Sequence, residues 1–333
     1  MTVAASTPRR RRAAGLLPGI VLSLAGVAVS LALAELVPAL SAMLIAILLG
    51  MAVRNTLPVP RIFEAGLAFA AKRMLRAGVV LLGFQLALGD IAQLGWGVIG
   101  VVVAVVGVGI GSTVLVGRAL GVSTSQTLLI AAGFSICGAA AVAAMDGVIE
   151  TEDNEEVVTA ITLVVLFGTL MIPLLPLLAG ALHLSAMQTA MWAGASVHEV
   201  AQVVAIGGSV GAAALSTAVI IKLARVLMLA PTMAAVSWGR RRAAGHTGTR
   251  PPVMPLFVAL FVAAVVVSGL VPAPVQDAAL MAQTVLLGAA MFALGAGVRL
   301  ASFRHVGFKP FALAACATAC VAATGLVGVL LVA

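Results

Sequence analysis

The chain has 333 residues, 62% of them hydrophobic and 9% charged, with a net charge of +8. A soluble domain carries about 25% charged residues, so a soluble globular fold is excluded, and no short segments alternate in the manner of a porin-type barrel. In such a chain the positive balance marks cytoplasmic loops rather than a nucleic-acid partner.

The composition predicts an all-α polytopic membrane protein, because nearly every stretch between turn signals approaches the ~20 residues that cross a bilayer core. Punctuation by Gly, Pro and charge predicts about eleven transmembrane helices, over 16–34, 38–53, 62–89, 95–117, 124–147, 157–180, 187–205, 211–238, 253–271, 277–299 and 307–332. A basic tail, 1–15, precedes them. The apolar run 16–34 exceeds the 7–15 residues of a signal-peptide core, so it is expected to persist as an extra first helix.

The loops give this count its orientation. With the N-terminus in the cytoplasm of a bacterial inner membrane, the inner segments hold Arg9 to Arg12, Arg54, Arg61, Arg118, Arg240 to Arg242, Arg250, Arg299, Arg304 and Lys309. The outer segments hold Glu35, Asp90, the acidic loop ETEDNEE at 150–156 and Asp277, and the C-terminus falls outside. Segregation of Lys and Arg to one side is what a correct span count produces.

Five cations remain inside apolar helices: Lys72, Arg73, Arg76, Lys222 and Arg225. In TAVIIKLARVLML, Lys222 lies eighteen residues before Arg240, about 27 Å along a helix and too far to snorkel. A central cation needs a polar cavity or a partner, and the i, i+3 spacing puts Lys222 and Arg225 on one face. Lys72 and Arg76 share a face at i, i+4, although 61–76 also reads as an amphipathic surface helix. A shift of 150 residues lays 127–148 on 277–298 and Lys72 on Lys222. Such a repeat makes five-helix halves that are inverted in topology.

The paired Gly-rich segments are AAGFSICGAAA and LLGAAMFALGAG. An unwound midpoint in each would expose half-helix N-termini to an anion, with Ser135, Cys137 and Gly138 at the first break. The stretch GASVHEVAQVVAIGG places His198, Glu199 and Gln202 inside a short span. HEVAQ resembles a zinc-protease HExxH, but Gln202 replaces the last ligand and no third ligand accompanies it, so no metal site is expected. Buried His and Glu are candidates for proton coupling, and a Glu199–Lys222 ion pair is the structural alternative. Cys137, Cys316 and Cys320 read as small buried hydrophobes.

The segments KRMLRAGVVLLGFQLALGDI, GFSICGAAAVAA, ASVHEVAQVVAIG and IKLARVLMLAP resemble stretches of the YeiH-type bacterial membrane proteins, a family widely named for sulfate export. The resemblance covers nearly the whole chain. It implies kinship with the bile-acid symporter and cation/proton antiporter superfamily. It further implies two inverted repeats, 38–180 and 187–332, each with a broken helix crossing near the midplane, in helices five and ten.

Residues and resemblance together point to a secondary transporter of a small anion such as sulfate, or a small organic sulfonate or carboxylate, and not to an enzyme. The expected substrate contacts are Lys72, Arg76, Ser135, Cys137, Gly138, Ser196, Lys222 and Arg225; the expected coupling residues are His198, Glu199 and Gln202. The expected partners are the anion, the lipid bilayer, a coupling proton or sodium ion and a second copy of the chain, with no nucleic acid, cofactor or metal. Two other readings stay open: a cation/proton antiporter using Glu199 and Asp146, and a membrane sensor or assembly subunit that transports nothing.

Overall fold

The computed structural model describes residues 8–36, 42–85, 88–151, 154–243, 256–297 and 307–333. The helices in chain order are α1 (Pro8–Leu36), α2 (Ala42–Thr56), α3 (Glu64–Phe69), α4 (Leu75–Leu82), α5 (Leu88–Gln93), α6 (Gly95–Leu120), α7 (Thr124–Ser135) and α8 (Ala139–Ile149). They continue with α9 (Asn154–Ala181), α10 (Ala186–Ser196), α11 (Val200–Val210), α12 (Ala212–Leu227), α13 (Leu229–Ala243), α14 (Leu256–Val267), α15 (Ala273–Gly297) and α16 (Phe308–Val332). Arg250, Arg299 and Arg304, and Glu152 and Asp153 of the acidic loop, lie outside the described residues.

The polytopic all-α expectation holds. Six helices among the described residues are long and apolar enough to cross a membrane. They are apolar around most of their circumference, as a helix in lipid must be. α9 keeps Pro173 and Pro176 in its interior, a placement common in membrane helices. α1 begins at Pro8, inside the expected basic tail.

Between Arg61 and Gln85 the helical path includes a π-helical turn, Ala70–Met74, joining α3 to α4. Where α2 crosses α15, a Cβ on Gly50 would strike the Phe292 carbonyl, and one on Gly295 the Ile47 carbonyl. Glycine lets these two backbones touch.

Contacts between helix ends give the topology. Ser123, the N-cap of α7, donates its hydroxyl to Glu156 in the first turn of α9 at 2.5 Å. The pair α7–α8 therefore starts and finishes at the same end of the bundle. Arg240, late in α13, donates to the Val148 carbonyl at 3.2 Å, and the Lys309 ammonium lies beside Gly121. Arg54, Glu64, Asp146 and Val157 line one cavity at that end as well.

The pair α10–α11 is the inverse. α9 carries the chain across to His183 at the opposite end, and α10 starts there from a capping box of Ser185 and Gln188. α11 finishes at Gly211, from which α12 and α13 run back as a 29-residue rod to Arg242. Both pairs enter the bundle, stop, and return to the end they came from.

This corrects two expectations. The stretches 124–147 and 187–205 do not traverse the bundle, so the count of eleven crossing helices is replaced. The acidic loop then shares an end with Arg54, Arg118 and Arg240 instead of facing away from them. A third expectation also fails: α15 is continuous helix through Gly288 and up to Gly297, so the tenth helix has no break there. Its small residues serve close packing against α1 and α2 instead.

Candidate functional site

The two helix pairs meet at their interruptions, Ile136 to Gly138 between α7 and α8, and Val197 to Glu199 between α10 and α11. A helix end leaves carbonyl groups without intrahelical partners, and in an apolar interior each must be satisfied. Lys222 and Arg225, one turn apart on α12, do this. The Lys222 ammonium donates to the carbonyls of Ile136 (2.7 Å), Val197 (2.8 Å) and His198 (2.6 Å). All three of its donors are used. The Arg225 guanidinium donates to Ser135 through Nη2 (2.9 Å) and Nε (3.3 Å), and to Phe134 through Nη2 (3.3 Å). Its Nη1 donates to Val197 (2.8 Å) and Gly194 (3.2 Å).

The cations thus sit at the negative ends of α7 and α10, where the helix dipole favours them. Glu199 occupies the complementary position. It forms a capping box at the start of α11, its side chain accepting from the Gln202 backbone while Gln202 Oε1 accepts from the Glu199 N–H at 3.0 Å. Glu199 Oε1 also accepts from the Ala139 N–H, the first of α8, at 3.3 Å. One carboxylate serves two helix N-termini. Gly138 makes the approach feasible: its φ is +76°, and a Cβ there would lie 2.5 Å from Glu199 Cγ.

His198 is completely buried and faces the Phe134 carbonyl through Nδ1 at 3.1 Å and the Thr318 hydroxyl through Nε2 at 3.1 Å. A carbonyl only accepts, so Nδ1 carries a proton. The hydroxyls of Ser135 and Ser196, one before each interruption, are buried without a hydrogen-bond partner, as is Gln202 Nε2. Each is pressed against a glycine of another helix: Ser135 on Gly109, Ser196 on Gly325 and Gln202 on Gly168.

The structure therefore brings Ser135, Cys137, Gly138, Ser196, His198, Glu199, Gln202, Lys222 and Arg225 to one crossing, as the sequence suggested. It corrects the expected contacts of the two cations. Lys222 and Arg225 are completely buried and bound by backbone carbonyls, and they line neither of the cavities described below. The ion pair between Glu199 and Lys222, the structural alternative, is not formed, the ammonium being taken up by the three carbonyls; Arg54 and Glu64 do pair, at 3.7 Å.

Lys72 and Arg76 lie apart from the crossing, in a cavity of about 270 Å³ at the Arg54 end. Lys72 is exposed and Arg76 half-buried. Arg54, Glu64 and Asp146 line the same cavity, while the Arg76 guanidinium sits 5.4 Å above the Phe257 ring. The Nε atoms of Arg54 and Arg76 are buried and unpaired. A second cavity, about 50 Å³, reaches Cys137 and Glu199 at the crossing. Sequence reasoning missed Arg54 and Glu64 as lining groups, since loop charges at a helix end read as topology signals. It also missed the partners Phe134 and Thr318, which carry no pattern.

The comparisons with known proteins agree on one relationship. A family model described as Conserved hypothetical protein 698 matches residues 16–314. A UPF0324 membrane protein of Corynebacterium glutamicum is 47% identical over 319 residues, which cover 94% of this chain and 92% of the relative. Another, of Pseudomonas aeruginosa, is 40% identical over 324 residues, covering 90% of each chain. The UPF0324 inner membrane protein YeiH of Salmonella typhimurium is 36% identical over 288 residues, covering 82% of this chain and 81% of the relative. No solved structure matches.

Proposed function

This chain belongs to the Conserved hypothetical protein 698 family, that of the UPF0324 membrane proteins and YeiH, and from that premise we propose that it is a secondary transporter of a small anion working by alternating access. The observation that carries the reading is the meeting of two helix pairs from opposite ends, with interrupted backbone deep in an apolar bundle. Non-helical backbone at membrane depth is tolerated where it is buried in protein or lines a cavity, and such discontinuous helices form transporter substrate sites.

In this reading α1, α2, the 61–85 segment, α6, α9, α12 with α13, α14, α15 and α16 cross the bilayer. The α7–α8 and α10–α11 pairs are re-entrant. The crossings run from a cytoplasmic N-terminus to an external C-terminus in an inner membrane, and the Arg54 end is cytoplasmic, in keeping with its Lys and Arg content. Residues 95–149 and 154–210, each a long helix followed by a re-entrant pair, form the inverted halves.

Direct anion contact is assigned to Lys72, Arg76 and Arg54 at the cavity, where guanidinium forks suit oxyanions. Lys222 and Arg225 position the crossing. His198 and Glu199 are the coupling candidates. Sulfate and small organic sulfonates or carboxylates are the substrate classes. The test is flux of labelled members of these classes in proteoliposomes, with and without a pH or sodium gradient. Anion movement supports the reading. Proton or sodium movement without an anion overturns it in favour of a cation/proton antiporter using Glu199 and Asp146, and no flux at all favours the sensor reading.

A further inference from the structure

Three of the elements common to both cavities line them one turn after another. The helix through Lys72, Arg76, Val79 and Leu82 gives its first two residues to the large cavity and its last two to the small one. On α8, Asp146 and Ala143 face the large cavity and Ala140 the small one. On α15, Leu294 lines the large cavity and Met291 the small one. Steps of three or four residues are one helical turn, about 5 Å. The cavities are therefore stacked along a common axis, the large one at the cytoplasmic end and the small one at the helix crossing.

One side chain lines both. Leu75 belongs to the wall of each cavity and is 1% exposed. It directly follows the π-helical turn that carries Lys72, and π-turns recur at functional sites. A turn that closes from π to α geometry rotates the residues after it by about 100° relative to those before it, which would swing Leu75 off the axis.

We propose that the two cavities are successive compartments of one anion path and that Leu75 is the gate between the basic entrance and the Cys137–Glu199 chamber. This rests on the reading of the protein as an anion carrier and extends it. An anion is collected by Lys72 and Arg76, and passage of Leu75 brings it to the crossing. The apolar side chain holds the compartments apart until the turn before it rearranges.

Cys137 is a native reporter, because its free thiol lines the inner chamber. In a Cys316→Ser, Cys320→Ser background, its reaction with methanethiosulfonates bearing a sulfonate or a trimethylammonium group is timed in proteoliposomes. The thiolate attacks the reagent sulfur, a mixed disulfide forms and methanesulfinate leaves. Leu75→Ala is expected to speed modification by the sulfonate reagent at least tenfold, and Leu75→Phe to slow it below wild type. Adding Lys72→Gln and Arg76→Gln is expected to remove the preference for the sulfonate over the ammonium reagent. The gate is overturned if both Leu75 variants, monodisperse on size exclusion, react at the wild-type rate. The basic entrance is overturned if the reagents are equally fast with Lys72 and Arg76 intact. Leu75→Ala that reacts as fast as denatured protein while Leu75→Phe matches wild type also overturns the gate. Anion flux measured on the same vesicles separates the two readings: flux without a Leu75 effect sinks the gate alone, and a Leu75 effect without flux sinks the carrier alone.

Discussion

Lys222→Met removes an ammonium and leaves the carbonyls of Ile136 and His198 without their donor, while the Val197 carbonyl keeps its bond from Arg225. An unsatisfied buried acceptor costs about 1–3 kcal/mol, so leaving two costs roughly 2–6 kcal/mol, a large share of a typical ~5–15 kcal/mol. The variant is expected to melt roughly 4–24 °C lower in detergent, at the ~2–4 °C per kcal/mol of a domain of about 150–250 residues. The assay is the fraction still monodisperse on size exclusion after heating. Glu199→Gln in the same chain separates two causes. If Lys222 served to neutralise Glu199, the double variant would regain stability, since no buried charge would then lack its partner. The geometry predicts that the deficit persists, because the carbonyls remain unpaired whatever the charge at position 199. Recovery of the wild-type melting temperature in the double variant would refute the carbonyl-cradle account.

Other outcomes follow from the same geometry. Single cysteines at Glu155 and Arg241 should be labelled from one side of the membrane and one at His183 from the other; an eleven-crossing chain puts Glu155 opposite Arg241 in the same labelling. Gly138→Ala should destabilise by at least ~1–2 kcal/mol for its left-handed backbone alone, whereas Gly107→Ala, with open space around its Cβ position, should leave melting unchanged or raise it slightly. Lys72→Gln or Arg76→Gln should weaken anion uptake roughly ten- to a hundredfold through the apparent KM, at ~1.5–3 kcal/mol per charged hydrogen bond, with melting little changed. Glu199→Gln should retain anion binding, measured by protection from heating, and lose the response of uptake to a pH gradient.

The crossing was legible in part because its residues break local rules. A lysine and an arginine in TAVIIKLARVLML, and a His–Glu pair in GASVHEVAQVV, are out of place in lipid, and all four reach the same few ångströms of space. What they touch was not legible. Backbone carbonyls carry no residue identity, so a sequence displays unpaired cations and leaves out the helix ends that take them up. Anion binding was the natural inference from positive charge, and the structure gives that charge to the helix termini first. The internal repeat also escaped notice. Ser-x-x-Gln-Thr at 123–127 recurs at 185–189, and Gly-x-Ser at 133–135 recurs at 194–196. In each copy a serine cap starts the re-entrant pair and the second serine precedes the interruption. The spacing slips from 62 to 61 residues between the two motifs, so no single shift aligns both, and the 150-residue match instead aligned small-residue packing faces.

The span count failed for a reason that the charges themselves explain. Between Arg118 and Lys222 the sequence contains no lysine or arginine. Both re-entrant pairs lie inside that interval. Counting the first as a crossing inverts the side of everything after it, and counting the second inverts it back. Outside the interval the two span counts assign each loop Lys and Arg to the same side, and inside it nothing is present to object. The acidic loop 150–156 does lie between the two errors, but Asp and Glu contribute little to orientation, so its carboxylates could not report the side they are on. A packing contact does report it: the 2.5 Å hydrogen bond from Ser123 to Glu156 ties the start of the first pair to the helix that follows it. Two paired errors of opposite sign therefore leave the cation distribution intact, and only a contact between the ends of a pair distinguishes a helix that crosses from one that turns back.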